Sequence, residues 1–232
     1  MNTRLRKRHV DEEKNQFSVT RSLPARLVGS CIVLFAQIVT AARAIWDGIE
    51  PGPGQRIYFA NHTSNGDFVL IWSVLAPAFR VRTRPVAGAD YWLKSKMRSF
   101  IGRDVFRAVL IDRNPETRRQ DPVAQMIAAL DGGDSLIVFP EGTRNTTSAR
   151  LLPFKPGLFH LATARADIDL VPVWITNLNR VMPKGEIVPV PLLCTVRFGE
   201  PLRLVEDEPK DAFLGRAETA LLALAPEEET AQ

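Results

Sequence analysis

The sequence predicts an α/β fold, a mixed sheet flanked by helices, behind an apolar N-terminal helical segment. Three observations lead there. Short β-branched and aromatic runs alternate with longer helical stretches, the pattern of a sheet covered by helices. A run of sixteen residues without charge, Leu27 to Ala42, lies between Arg26 and Arg43. Three strand ends carry reactive side chains, in the segments NHTSNGD, IDR and FPEGTR.

The size and balance of the chain allow this reading. With 232 residues it can bury one sizeable core and an accessory piece. At 45% hydrophobic and 24% charged it is neither a disordered chain nor a polytopic membrane protein. A net charge of +4 suits an anionic surface or substrate, without choosing between membrane and nucleic acid. The two cysteines, Cys31 and Cys194, have no metal-ligand or CxxC spacing. Neither a disulfide framework nor a zinc site is expected, and both read as small core residues.

The elements follow in chain order. Residues 1–22 are charged and aperiodic, which predicts a flexible basic arm. LVGSCIVLFAQIVTAA follows, with Gln37 as its one strongly polar break. It falls short of the roughly 20 residues that span a bilayer squarely; adding RAIW lengthens it and brings in Arg43. A membrane-embedded or re-entrant anchor helix is the expectation, with a spanning helix or a buried core helix as alternatives. The basic RLRKR favours the cytoplasmic face and anionic headgroups. Residues 1–50 thus read as arm and anchor, 51–226 as the α/β domain and 227–232 as a disordered tail.

Within the domain, RIYFA (Arg56 to Ala60) is a buried strand entered from a Pro/Gly turn, and FVLIWSVLAPAF is a helix packed on the sheet. Arg80, Arg82 and Arg84 recur at period two and would form one cationic edge if extended, with a solvated face as the plainer alternative. DYWLKSKMRSFIG reads as a helix ending at Gly102, and Val105 to Arg113 as a strand. A helix ended by Gly132-Gly133 leads into SLIVF, which breaks at Pro140. A short helix (KPGLFHLATARAD), two strands (IDLVPVWITN and CTVRFGEPLRL) and a final helix with an acidic start complete the order.

NHTSNGD bridges a strand to a helix. His62 and Asp67 are five apart, about 140° around a helix axis and on opposite faces of a strand. They meet only if the backbone turns between them, which Asn, Ser and Gly permit. An imidazole held by a carboxylate is a base with its orienter; the plainer alternative is a capping network. In FPEGTR, Arg144 suits a planar anion such as phosphate, and Gly142 lets backbone approach a ligand. Glu141 can accept from hydroxyls or fix an arginine, while Arg113 and Lys155 are further candidate cations. No nucleophile elbow, P-loop or dinucleotide fingerprint is present. Base, orienter and anion clamp fit direct transfer to a hydroxyl, without bound cofactor or metal.

Four ordered blocks carry a family resemblance: NHTSNGD, GRDVFRAVLIDR, FPEGTR and LVPVWI, between about Gln55 and Asn177. They resemble the glycerolipid acyltransferases, with 1-acyl-sn-glycerol-3-phosphate acyltransferase as the central type. The resemblance implies His62 as base and Asp67 as orienter. It implies Arg113, Glu141, Gly142, Thr143, Arg144 and Lys155 as acceptor-binding residues. It also implies a donor that is acyl-CoA or acyl-carrier protein, a lyso-lipid acceptor such as lysophosphatidate, and no nucleic-acid partner. One departure is Asn65-Gly66, where the family commonly has bulky residues before the aspartate. It leaves open another lyso-lipid acceptor, such as a lyso-aminolipid or lysophospholipid. A metal-dependent phosphoesterase or a non-catalytic lipid-binding protein are the readings from other classes.

Overall fold

The computed structural model describes residues 21–114, 116, 118–178 and 193–226. The expected N-terminal arm, up to residue 20, and the expected tail lie outside these residues.

Seven strands form one sheet in the order β1-β7-β6-β2-β5-β3-β4. They are β1 (Arg43–Trp46), β2 (Arg56–Ala60), β3 (Thr83–Gly88), β4 (Val109–Ile111), β5 (Ser135–Val138), β6 (Asp169–Thr176) and β7 (Thr195–Phe198). The run β6-β2-β5-β3-β4 is parallel throughout. The sheet is mixed because β7 runs antiparallel to β6, and β1 pairs parallel with β7. The C-terminal ends of β2 to β6 therefore share one edge, where loops converge in sheets of this kind.

Both faces are covered, which explains why the central strands are apolar at successive positions. Tyr58, Ala60, Ile137, Val171, Val173 and Ile175 enter one core. Ile57, Phe59, Leu136, Val138, Leu170 and Trp174 alternate into the other. On the first face lie α1 (Leu23–Thr40), α2 (Asp67–Val74) and α4 (Ala89–Trp92); α3 (Pro77–Arg80) follows α2, and α5 (Lys96–Phe100) runs into Ile101, which packs on the same core. On the second lie α6 (Pro122–Asp131), α7 (Gly157–Ala164) and α8 (Lys210–Ala223).

Helix α1 is capped by Ser22, whose side chain accepts from the Ala25 N–H, and Pro24 sits in its first turn. It ends at Ala41 in the left-handed region (φ 40°). Eighteen residues span about 27 Å, just under a hydrocarbon core of roughly 30 Å. The helix lies along the domain: Ala25, Gly29, Val33 and Thr40 are buried. A Cβ at Gly29 would lie 3.3 Å from Val105 and 3.4 Å from Trp72. Its other face exposes Leu23, Leu27, Leu34, Phe35 and Ile38.

Several elements differ from expectation. RAIW is not a continuation of the helix but β1, at the edge of the same sheet. The sheet thus reaches back into the segment read as arm and anchor. Hydropathy could not separate these because RAIW is apolar enough for either state. Arg80, Arg82 and Arg84 do not share an extended edge. Arg80 donates to the carbonyls of Trp72, Ser73 and Leu75 at the end of α2. Arg84 and Arg107 pair with the buried Asp134, and Arg82 donates to the Gly133 carbonyl. The helix expected to end at Gly102 is two short helices followed by a π-helical turn, Ile101–Val105. The strand expected from Val105 is only Val109–Ile111. Cys194 is buried as expected, whereas Cys31 is exposed on α1.

Candidate active site

His62 lies two residues past β2 and Asp67 opens α2. The intervening turn brings them together: His62 Nδ1 is 2.8 Å from Asp67 Oδ2. The same oxygen accepts from the backbone N–H groups of Thr63 (2.7 Å) and Ser64 (2.8 Å). These donors, at the helix N-terminus, hold that oxygen at a fully buried position. With a carboxylate opposite, Nδ1 carries the proton and Nε2 presents its lone pair. The His62 side chain is 20% exposed while that of Asp67 is sealed. One ring atom can therefore meet a ligand while its orienter stays dry.

FPEGTR leaves β5, the strand beside β2, and grips the histidine from behind. The His62 N–H donates to Glu141 Oε1 (2.8 Å), and the His62 carbonyl accepts from the Asn145 N–H (2.7 Å). The Phe139 ring stacks on the imidazole, centroids 4.2 Å apart and planes at 20°. Glu141 is 2% exposed, and its second oxygen accepts from the Leu152 N–H (2.9 Å). Burial raises its pKa above the usual carboxylate range, against the two backbone donors that lower it. Both its oxygens face backbone, not the open side of the site.

Gly142 has φ +71°, and a Cβ there would lie 2.6 Å from Lys155 Cε. The lysine stem thus crosses the glycine, anchored by its own N–H to the Pro140 carbonyl (2.8 Å). Thr143, Arg144 and Lys155 are exposed. Arg144 and Lys155 have no ion-pair partner among the described residues. Arg113 is differently placed. It follows β4, three strand positions from β2, about 14 Å along the sheet edge. Its guanidinium pairs with both oxygens of Asp90 at 2.7 and 2.9 Å. Gly88 makes room for that pair, since a Cβ there would lie 2.5 Å from Asp90 Oδ1.

Four supporting side chains complete the site without a role assigned from the sequence. Phe139 stands inside FPEGTR, but its apolar ring gave no reason to read it as part of the site. Asn61 spans from the end of β2 to β6, bonding both the N–H (2.8 Å) and the carbonyl (3.1 Å) of Ile175. Asn145 folds the loop by accepting from Thr147 and donating to Ala149. Asp90 gave no signal beyond its charge. Gly66 precedes α2 at φ −89°, and a Cβ there would make only an ordinary 3.6 Å contact with Leu178.

A base held by a carboxylate, beside two exposed cations, can deprotonate a hydroxyl on an anionic ligand. The family model Acyltransferase matches residues 47–176. The chain is 33% identical over 141 residues to the 1-acyl-sn-glycerol-3-phosphate acyltransferase of Escherichia coli (strain K12), covering 55% of this chain and 52% of that protein. It is 32% identical over 164 residues to the protein of that name from Limnanthes douglasii, covering 67% and 53%. The chain spans about half the length of the curated relatives it matches. The crystal structure of the 1-acyl-sn-glycerophosphate (LPA) acyltransferase PlsC from Thermotoga maritima has the same fold. Its TM-score is 0.65 at 22% identity, covering 90% of this chain and 83% of that one. On the family match, which takes in His62, Asp67, Arg113 and FPEGTR, this chain belongs to the acyltransferase family.

Proposed function

We propose that the protein is an O-acyltransferase that moves a fatty acyl group to the free hydroxyl of lysophosphatidate, giving phosphatidate. The observation that carries the reading is the 2.8 Å contact of His62 Nδ1 with Asp67 Oδ2, which leaves Nε2 as the free base. The donor is a thioester, acyl-CoA or acyl-carrier protein. Nε2 takes the proton from the acceptor hydroxyl as its oxygen attacks the thioester carbonyl. The tetrahedral intermediate collapses, the C–S bond breaks, and the imidazolium returns the proton to the leaving thiolate. Asp67 holds the ring and stabilises the imidazolium. The step needs no covalent enzyme intermediate.

In this reading Arg144 and Lys155 meet the acceptor phosphate, with Gly142 and Thr143 supplying close backbone approach. Arg113 adds a further charge from the loop after β4 when its exposed pair with Asp90 opens, which costs little at such exposure. Glu141 acts through His62 as a positioning residue. The exposed stripe of α1 seats the protein on the cytoplasmic face of a membrane, where both lipids reside. Another lyso-lipid as acceptor is the second reading. Its support is Arg113's pair with Asp90, which occupies one candidate phosphate cation, and the absence of a side chain at Gly66 beside the base.

The test is full-length protein with labelled acyl-CoA or acyl-carrier protein against a panel of lyso-lipids. Lysophosphatidate should be used fastest. His62→Ala should fold and lose on the order of 10²–10⁴-fold in turnover. A folded His62→Ala protein with more than about half its activity would end the base assignment. A preference for an acceptor without a phosphomonoester would move the reading to the second acceptor.

A further inference from the structure

Eight of the eleven large apolar side chains exposed among the described residues lie on the layer that carries α1. Five belong to α1 itself. The other three, Tyr91, Leu93 and Met97, belong to α4, α5 and the turn between them, and Met97 is 69% exposed. Leu93 to Met97 is a run of five exposed residues, with Lys94 and Lys96 inside it. Arg103 is exposed just beyond, and the Arg98 guanidinium lies 4.5 Å over the Tyr91 ring. Of the acidic groups nearby, Asp90 is taken by Arg113, which leaves Asp104.

This segment also holds an open depression of about 530 Å³. Lys96 and Arg103 line it with the hydroxyl-bearing Ser95 and Ser99, between Leu93 and Phe100, with Asp104 its one carboxylate. Two cations and hydroxyl groups beside apolar side chains match the inside of a lipid interface. Donors there face phosphate oxygens, and Leu93 and Met97 face acyl chains. The position matters as well. Helix α4 starts directly after β3, at the sheet edge that carries His62. The π-helical turn joins this segment to α1, because Val105 packs against Gly29.

We infer that residues 89–104 form a second lipid contact, separate from α1, that holds the active-site edge on an anionic phospholipid surface. Lys96 and Arg103 take a headgroup phosphate in the depression, and Leu93 and Met97 enter the acyl region. The inference rests on the membrane reading above. An acidic carrier protein would match the cations, but it gives no reason for Leu93 and Met97 to share a layer with the α1 stripe.

Sedimentation of the full chain with phosphatidylcholine vesicles, with and without phosphatidylglycerol, tests it. Lys96→Gln/Arg103→Gln should weaken partition onto anionic vesicles by about fivefold per charge, ~25-fold together, and leave neutral vesicles unaffected. Leu93→Ser/Met97→Ser should weaken partition onto both. All four side chains are exposed, so Tm should stay at the wild-type value. The inference is overturned if the charge variant binds anionic vesicles as the wild type does. It is also overturned if that variant keeps its vesicle binding but slows only with acyl-carrier protein as donor, which would make the patch a protein-docking site. Leu27→Ser/Phe35→Ser on α1 tests the membrane reading by itself. If it alone releases the protein, with both segment variants bound, α1 is the whole anchor and the second contact falls. If it stays bound while the segment variants are released, the α1 reading fails and the second contact stands.

Discussion

At the scale of single residues, the site is a histidine held by four neighbours. Asp67 fixes the ring, Glu141 and Asn145 fix the backbone, and Phe139 covers one face. Each hold predicts a different loss. Asp67→Asn can keep its carbonyl oxygen on Thr63, Ser64 and His62, with the amide at the position of Oδ1. That atom has no partner among the described residues. Geometry is kept and charge is lost, so turnover should fall on the order of 10²–10⁴-fold with unchanged acceptor KM. Unchanged turnover would make Asp67 a helix cap. Phe139→Ala removes the stacked ring; a contact of about 0.5–1.5 kcal/mol predicts up to roughly tenfold lower kcat. Glu141→Gln leaves one backbone N–H facing an amide NH₂, at a cost of about 1–3 kcal/mol. Its pH dependence has a definite sign. Burial raises the folded pKa of Glu141, so the folded state holds this proton more tightly than the unfolded chain. The carboxyl's stabilising contribution is full below the unfolded value, about 4.3, and is lost as pH rises through the folded value. The Tm advantage of wild type over Glu141→Gln should therefore shrink as pH rises above about 4. An advantage that grows instead would mean that the Leu152 and His62 donors outweigh burial.

At the scale of elements, the loop after β5 and helix α1 each do two jobs. The loop turns at Gly142 in a conformation that side chains resist, with Lys155 lying where a Cβ would go. Gly142→Ala should cost about 1–2 kcal/mol of stability from the positive φ alone. It should also displace Lys155, raising acceptor KM more than donor KM. Equal shifts in both would place Lys155 on the donor. Helix α1 packs one face on Trp72 and Val105 and offers the other to its surroundings, including Cys31. A hydrophilic maleimide reads that orientation without mutation. Cys31 should label in detergent-free protein and be protected severalfold by vesicles. Cys194 should stay unlabelled in the folded state, because it is fully buried and burial pushes its thiol pKa up to about 11. Equal Cys31 labelling with and without vesicles would take the stripe off the membrane.

At the scale of the whole molecule, the proposed anchor is also part of the roof over the first core. Removing residues through Thr40 would uncover Trp72 and Val105, which Gly29 now meets. It would also leave β1 at the sheet edge without the helix that precedes it. Losing the burial of even one large side chain, about 2 kcal/mol, predicts a Tm lower by roughly 4–8 °C in a chain of this size. Membrane release should therefore come with lower stability. A truncated protein with wild-type Tm would make α1 an appendage that only anchors.

The sequence alone determined the strand-helix alternation, the three reactive strand exits and the turn that joins His62 to Asp67. These are local: period, turn residues and spacing decide them within a few positions, and RIYFA became β2 residue for residue. Register across the sheet lay outside any local pattern. It put β5 beside β2, so that Phe139, Glu141 and Asn145 close on His62 from nearly eighty residues away. It put β4 three strands off, where Arg113 pairs with Asp90. It also drew RAIW out of an apolar run and into an edge strand. Strand order depends on how both faces of the sheet are buried at once. The partners of Glu141 and Arg113 were therefore settled only when the whole core closed.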